Sequence, residues 1–226
     1  MRWITLLGGA YLALLLANIP AVWVIQQPNL TALEGSLWQG RAQLMYQGRT
    51  YADLSWRLKP LALFKGQLAF DVTASTLAGT VQGIAAFKLG TVELQLAAAV
   101  LDIEHASLEL PVAVSGEVHL APVSLTLDYQ GEVNKAQGTL VWQAATVGSP
   151  PQAIGTLQVN LAAQQGALVA FIEDQQGPIA VTGNARWHPK QGISLQASLA
   201  AREHTFAPWV TFIGPADASG WHHWHW

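Results

Sequence analysis

The chain has 226 residues, no cysteine, 51% hydrophobic residues and 11% charged residues, with 11 Lys and Arg against 14 Asp and Glu. Soluble domains ordinarily carry about 25% charged residues, so the composition excludes a disordered chain, which needs high charge and few large apolar side chains. It also lacks the basic cluster that nucleic acid requires. Without cysteine there is no disulfide framework, thiolate zinc site or cysteine nucleophile, and the redox compartment is left open.

After Arg2 no charge occurs until Glu34. Residues 3–25 are apolar apart from Thr5, Asn18 and a few small residues. As a helix this run is about 34 Å long, enough to cross a hydrocarbon core of about 30 Å. Trp3 and Trp23 sit near its ends, where interfacial aromatics belong. The expectation is a cytoplasmic stub and uncleaved transmembrane signal anchor over residues 1–26, with the rest exported. A cleaved signal peptide is the alternative, although the run exceeds the usual hydrophobic stretch of about 7–15 residues and Ala17-Asn18-Ile19-Pro20-Ala21 offers no clean small-x-small site.

Beyond Gln26 the hydrophobic period is two. Val92, Leu94, Leu96 and Ala98 form one such series, and Leu125, Leu127 and Tyr129 a second. Leu157, Val159 and Leu161 form a third, and Ile193, Leu195, Ala197 and Leu199 a fourth. Each predicts a strand with one buried and one polar face. Gln164-Gln165-Gly166, Asp174-Gln175-Gln176-Gly177, Thr182-Gly183-Asn184 and Pro189-Lys190-Gln191-Gly192 read as turns between strands. A Gly-Ser/Thr-aliphatic tripeptide recurs at Gly35, Gly79, Gly90, Gly138 and Gly155, suited to a chain leaving a turn for a strand. The predicted fold is all-β, a twisted antiparallel sheet or open half-barrel over residues 27–220, behind the single anchor helix. Gly35-Ser36-Leu37-Trp38-Gln39 resembles Gly138-Thr139-Leu140-Val141-Trp142-Gln143. Two similar halves, 27–132 and 133–220, are one reading of this; chance similarity in a Gly-, Leu- and Ala-rich chain is the other.

No constellation reads as an active site, so no catalytic residue and no cofactor is assigned. Ser115-Gly116 and Gly148-Ser149 lack a nucleophile-elbow pattern. Glu173 and Asp174 are adjacent, and are read as two solvated acids at a turn. Asp102 and Glu104 would share a strand face beside His105, read as an exposed polar face ahead of a cation site. The tail at residues 221–226, Trp-His-His-Trp-His-Trp, is unusual. If extended, His223 and His225 share a face with Trp221, while His222, Trp224 and Trp226 take the other. Two imidazoles make only a weak metal site, and an aromatic segment packed on the sheet or a partner is the leading reading. Trp38 and Trp56 read as anchors of a β core. Around them Arg41, Arg49, Arg57, Lys59 and Lys65 form the one mildly basic stretch, suited either to anionic head groups or acidic partners, or to ordinary solvated strand faces.

Several segments carry a family resemblance. Leu33-Glu34-Gly35-Ser36-Leu37-Trp38-Gln39-Gly40-Arg41-Ala42 follows the anchor, succeeded by Leu54-Ser55-Trp56-Arg57-Leu58-Lys59-Pro60 and by Gly66. Further on come Gly155-Thr156-Leu157-Gln158-Val159, Gly166 with Leu168, Asp174, Gly177, Gly183, Gly192 and Arg202. Phe212-Ile213-Gly214-Pro215-Ala216-Asp217-Ala218-Ser219-Gly220 closes the series. Together they resemble protein N of the type II secretion system, the GspN family. On that resemblance Gly35, Trp38, Gly40, Trp56, Pro60, Gly138, Trp142, Gly155, Gly177, Gly183, Gly214, Asp217 and Gly220 are structural motif residues, and the family's last strand is replaced by the tail. The resemblance implies a single-pass inner-membrane protein, N-terminus cytoplasmic and β domain periplasmic. Such a protein is a non-enzymatic accessory to export of folded proteins across the outer membrane. Its implied partners are the assembly platform or the secretin. A more distant likeness to the sheet modules of periplasmic bridge-like lipid carriers supplies the alternative, a lipid-binding or lipid-transfer module with an apolar groove.

Overall fold

The structure is a computed structural model that describes residues 18–25, 27–46, 48–105, 113–203 and 214–225. Fifteen strands join one sheet: β1 (Leu30–Gly35), β2 (Gln39–Tyr46), β3 (Arg49–Leu58), β4 (Leu68–Thr76), β5 (Gly79–Lys88), β6 (Thr91–Leu96), β7 (Ala99–Asp102), β8 (Val114–Leu120), β9 (Val123–Asp128), β10 (Val133–Val147), β11 (Gln152–Gln164), β12 (Ala167–Asp174), β13 (Ile179–His188), β14 (Gly192–Ala201) and β15 (His222–His225). Helix is confined to two single turns, α1 (Ala21–Val24) and α2 (Pro60–Leu63), and a 3-10 turn at Ile103–His105. Among the described residues no helix is long and apolar enough to cross a membrane, and most of the apolar run at residues 3–25 lies outside them.

All the pairings are antiparallel, in the order β1-β2-β3-β4-β5-β6-β9-β10-β11-β12-β13-β14-β15. The remaining two strands, β7 and β8, extend this path without branching it. Leu96 faces Val123, and three residues on Ala99 faces Leu120, so the register of β6 with β9 continues into β7 with β8. Strand β10 is long enough to pair β9 through Val133–Gln137 and β8 through Leu140–Val147. Pro122 explains the interruption, because it has no N–H to give to the ladder. The fold is therefore a continuous hairpin meander with a bend across its middle, an open sheet as the alternation of the sequence predicts.

Directly opposed residues share a face. Gly40, Trp56, Val72, Gly83, Leu96 and Val123 form one row. Gln39, Arg57, Asp71, Ile84, Gln95, Ser124 and Gln137 form the neighbouring row on the opposite, polar face. Among the described residues no second layer of strands lies over the apolar row, so side chains of the sheet cover one another. A Cβ on Gly40 would meet the Trp56 ring, one on Gly83 would meet Leu96 Cδ2, and one on Gly138 would meet Val123 Cγ2. Large side chains thus fill the space that three glycines leave. The densest cluster is Ala145, Ile154, Leu157, Ile179 and Val181, backed by Trp142, Ile172 and Leu199. Ile179 is the one large side chain described as fully buried.

Some expectations fail in instructive ways. Thr182-Gly183-Asn184 is no turn: it lies inside β13, with Gly183 opposite both Ile172 and Ala197. There a Cβ would stand 2.6 Å from the Gln196 carbonyl oxygen, so the glycine serves close strand approach. The recurring tripeptide opens strands at Gly79 and Gly90 but falls within β10 and β11 at Gly138 and Gly155. Glu104 leaves the strand for the 3-10 turn, where its N–H donates to Asp102, so the two acids do not share a strand face.

Ile179→Ala is expected to lower unfolding stability by about 2–5 kcal/mol, whereas Ile193→Ala, on an exposed rim of the same sheet, changes it by less than about 0.5 kcal/mol. Urea unfolding of the two variants followed by tryptophan fluorescence checks this contrast.

Candidate functional site

The tail expected to be atypical is a strand. Leu199 faces His222, Ser198 faces His223, Ala197 faces Trp224 and Gln196 faces His225, so His223 and His225 share one face and His222 and Trp224 the other. Trp226 lies outside the described residues. The loop before β15 contains Gly214, Asp217 and Gly220, and Asp217 organises it. Its Oδ1 accepts the Ser219 N–H at 2.9 Å, the Ser219 hydroxyl at 2.8 Å and the Trp221 N–H at 3.0 Å. Its Oδ2 accepts His223 Nε2–H at 3.0 Å. Gly220 takes φ +85°, in the left-handed region, and its N–H closes the turn onto the Asp217 carbonyl at 3.0 Å. The buried His222 donates Nδ1–H to the Gly214 carbonyl, tying the far end of the same loop. Donation from Trp221, His223 and Ser219 holds the Asp217 carboxyl well below the usual carboxylate range.

Ser198 Oγ lies 2.8 Å from His223 Nδ1, so Ser198, His223 and Asp217 form a relay that sequence reasoning missed, because the serine is carried by a different strand. It resembles a hydrolase triad in membership only. Strand β14 is paired on both sides at Ser198, which commits its N–H groups to the ladders and leaves no oxyanion donors there. The relay instead clamps β15 to β14. Both ring nitrogens of His223 are engaged, so a metal shared with His225 would have to displace Asp217 or Ser198. Among the described residues no group of three or more His, Cys, Asp or Glu is placed to hold a metal ion.

A second carboxylate, this one buried, braces the same end of the sheet. Asp174 lies at the end of β12 on the apolar face, opposite Leu157, with its side chain only 8% exposed, and is not the solvated turn acid expected. Burial opposes its ionisation. The Arg202 guanidinium, the Val181 N–H at 2.9 Å and the Gln176 N–H outweigh that penalty and keep its carboxyl below the usual range. Arg202 also donates to the Gly177 carbonyl at 2.8 Å. Gly177 in turn lies against Gly155, where φ is +97° and a Cβ would stand 2.7 Å from the Gly177 Cα.

The remaining motif residues take the following places in the fold. Trp56 donates Nε1–H to the Leu37 carbonyl at 3.1 Å, and Trp142 donates to the Ser115 carbonyl at 3.1 Å while lying over Gly116. Trp142 therefore shares its arrangement with Trp56. The carbonyl of Trp38 accepts the Leu58 N–H, Gly35 ends β1 at φ +90°, and Pro60 opens α2, where a missing N–H is harmless. In the basic stretch Arg41 pairs with Glu34, and Lys59 with Asp71 at 2.8 Å, both exposed. Such pairs contribute about 0–1 kcal/mol each. A depression of about 840 Å³ lies at the bend on the polar face, lined by Gln82, Gln95, Ser124, Gln137, Thr139 and Asn160 among others. The lining also includes the Asp71 carboxylate, paired with Lys59, and among the described residues no nucleophile–base pair faces it.

Residues 27–225 match the family described as type II secretion system (T2SS), protein N. The chain is 30% identical over 169 residues to the type II secretion system protein N of Vibrio cholerae serotype O1 (strain ATCC 39315 / El Tor Inaba N16961). That alignment takes in 70% of this chain and 62% of the relative, so the chain spans less than two thirds of the relative's length. No solved structure matches.

The matched region includes the Asp217 loop and β15. A carboxyl held below its unfolded value stabilises fully above about pH 4 and loses that contribution as the pH falls through the folded value. Asp217→Asn is therefore expected to be less stable than the parent at neutral pH, with faster amide exchange across His222–His225. The difference should shrink progressively below about pH 4. Urea unfolding and hydrogen exchange of both proteins at several pH values measure it.

Proposed function

The chain belongs to the protein N family of the type II secretion system, and on that footing we propose that it is a non-enzymatic accessory subunit of the machine. In this reading the apolar run ahead of Ile19 anchors it at the inner membrane, with its sheet in the periplasm. It supports export of folded proteins across the outer membrane by binding other components, the assembly platform or the secretin. The observation that carries this reading is the family match over residues 27–225. The architecture favours binding over catalysis. The sheet is open, with edge strands β1 and β15, and an open edge offers unpaired backbone groups to a partner strand. Exposed Trp187 and Ile193, opposed on β13 and β14, add apolar anchors beside the β14–β15 edge.

A second reading has its own support. The apolar face is covered only by its own neighbours, and a curved sheet of that kind can receive an acyl chain. Phospholipid recovered in constant ratio from the purified full chain would favour that lipid-binding module.

Deleting the chain from a bacterium that carries the system is expected to leave secreted substrates folded in the periplasm, and normal secretion would overturn the subunit reading. A photo-crosslinking residue at Ile193 is expected to capture another secretion-system component in cells, and failure to capture any would count against the subunit reading.

A further inference from the structure

The large exposed apolar side chains are not scattered over the sheet. Its hairpins turn at two opposite edges, and one edge carries most of them. At the β3–β4 connection Leu61 is 77% and Phe64 90% exposed, and at the β5–β6 turn Leu89 is fully exposed. Tyr129, at the β9–β10 turn of the same edge, is 67% exposed and donates its hydroxyl to the Lys88 carbonyl at 2.6 Å, beside Leu89. The described turns of the opposite edge, at 77–78, 148–151 and 175–178, expose one large apolar side chain, Leu77. Helix α2 explains the projection. Its Ala62 packs inward on Ala69 and Ala86, which turns Leu61, Leu63 and Phe64 outward.

The N-terminal segment arrives at this same edge. The Leu37 N–H donates to the Ile19 carbonyl at 2.8 Å and Pro20 bridges Ser36, so the end of the apolar run lies against the β1–β2 turn. Trp23, in α1 just after it, is 71% exposed. The charges on the edge are compatible with an anionic surface. Asp71 is paired by Lys59, Glu93 by Lys88 and Glu132 by Lys190, and Asp128 accepts the Gln130 and Glu132 N–H groups inside the β9–β10 turn, while Lys65, next to Phe64, has no carboxylate partner among the described residues. Apolar tips beside an unpaired lysine, on the side where an apolar run enters, match the chemistry of a bilayer interface: rings and aliphatics reach the acyl boundary and the lysine stays with the phosphates.

We propose that this edge is a membrane-seated edge, in which Leu61, Phe64 and Leu89 dip into the phospholipid interface and stand the sheet on the bilayer. The inference rests on the proposed membrane location and adds an orientation to it. The strands rise away from the surface, and the Leu77 edge lies farthest from it.

The chain has no cysteine, so single probe sites can be introduced without background. Phe64→Cys, Leu89→Cys and Leu77→Cys would be made in the full chain, labelled with an environment-sensitive fluorophore, and reconstituted into vesicles of phosphatidylethanolamine and phosphatidylglycerol. The labels at 64 and 89 are expected to lose most of their emission to nitroxide-bearing lipid and to resist aqueous iodide, while the label at 77 does the reverse. Vesicle-bound protein whose labels at 64 and 89 stay open to iodide would overturn the seating alone. Failure of the full chain to float with vesicles would overturn it together with the anchor. Protection of 64 and 89 in lipid-free detergent solution, rising with protein concentration, would assign the edge to a second copy instead.

Discussion

A single-layer sheet has no second layer to bury its apolar face, so every large side chain must be covered by its neighbours on adjacent strands. That constraint organises the molecule. It explains the glycines set beside large side chains along the central apolar row, where Trp56, Leu96 and Val123 occupy the space above Gly40, Gly83 and Gly138. It also explains why Ile179 is the one large side chain described as fully buried, and why Trp56 and Trp142 each cover a glycine and satisfy their indole N–H on a main-chain carbonyl of a neighbouring segment.

A meander with so thin a core is vulnerable at its last strand, which pairs on one side. Strand β15 is short, and its hold on β14 is supplemented by polar chemistry: the Asp217 carboxylate builds the loop, and His223 joins that carboxylate to Ser198. Nearby, Asp174 and Arg202 brace the end of β12. Asp174 lies beside the Leu157–Val181 cluster, whereas Asp217 sits at the last strand, where packing is thin, which assigns the Gly214–Asp217–Gly220 loop a structural reason independent of any catalytic one.

The two faces and two edges of the sheet do different work. The polar face carries amides and hydroxyls around the central depression and a small Ala62–Ala69–Ala86 cluster under α2, and the apolar face carries the larger core. One edge is studded with exposed aliphatic and aromatic tips and the other is nearly free of them. The scarcity of charge, at first only an argument against disorder and nucleic acid, becomes a property of particular surfaces, since Leu61, Phe64 and Leu89 crowd one edge.

Much of this was legible from residue order. Strict alternation at 157–161 and 193–199 marks two-faced strands because the strand period is two, and Asp174 to Gly177 and Pro189 to Gly192 mark turns because those residues take turn conformations without strain. Other features were not legible. Gly183 reads as a turn and is a mid-strand glycine, since close approach by Ala197 is a fact about a different strand. Asp174 reads as solvated and is held under Arg202, and Ser198 meets His223 across 25 positions. Composition and period by themselves determine an all-β chain with one apolar face, because burial alternates with the pleat. Which glycine a ring covers, which carboxylate is neutralised and which edge carries the apolar tips were decided only by tertiary structure, because each depends on register between strands distant in sequence.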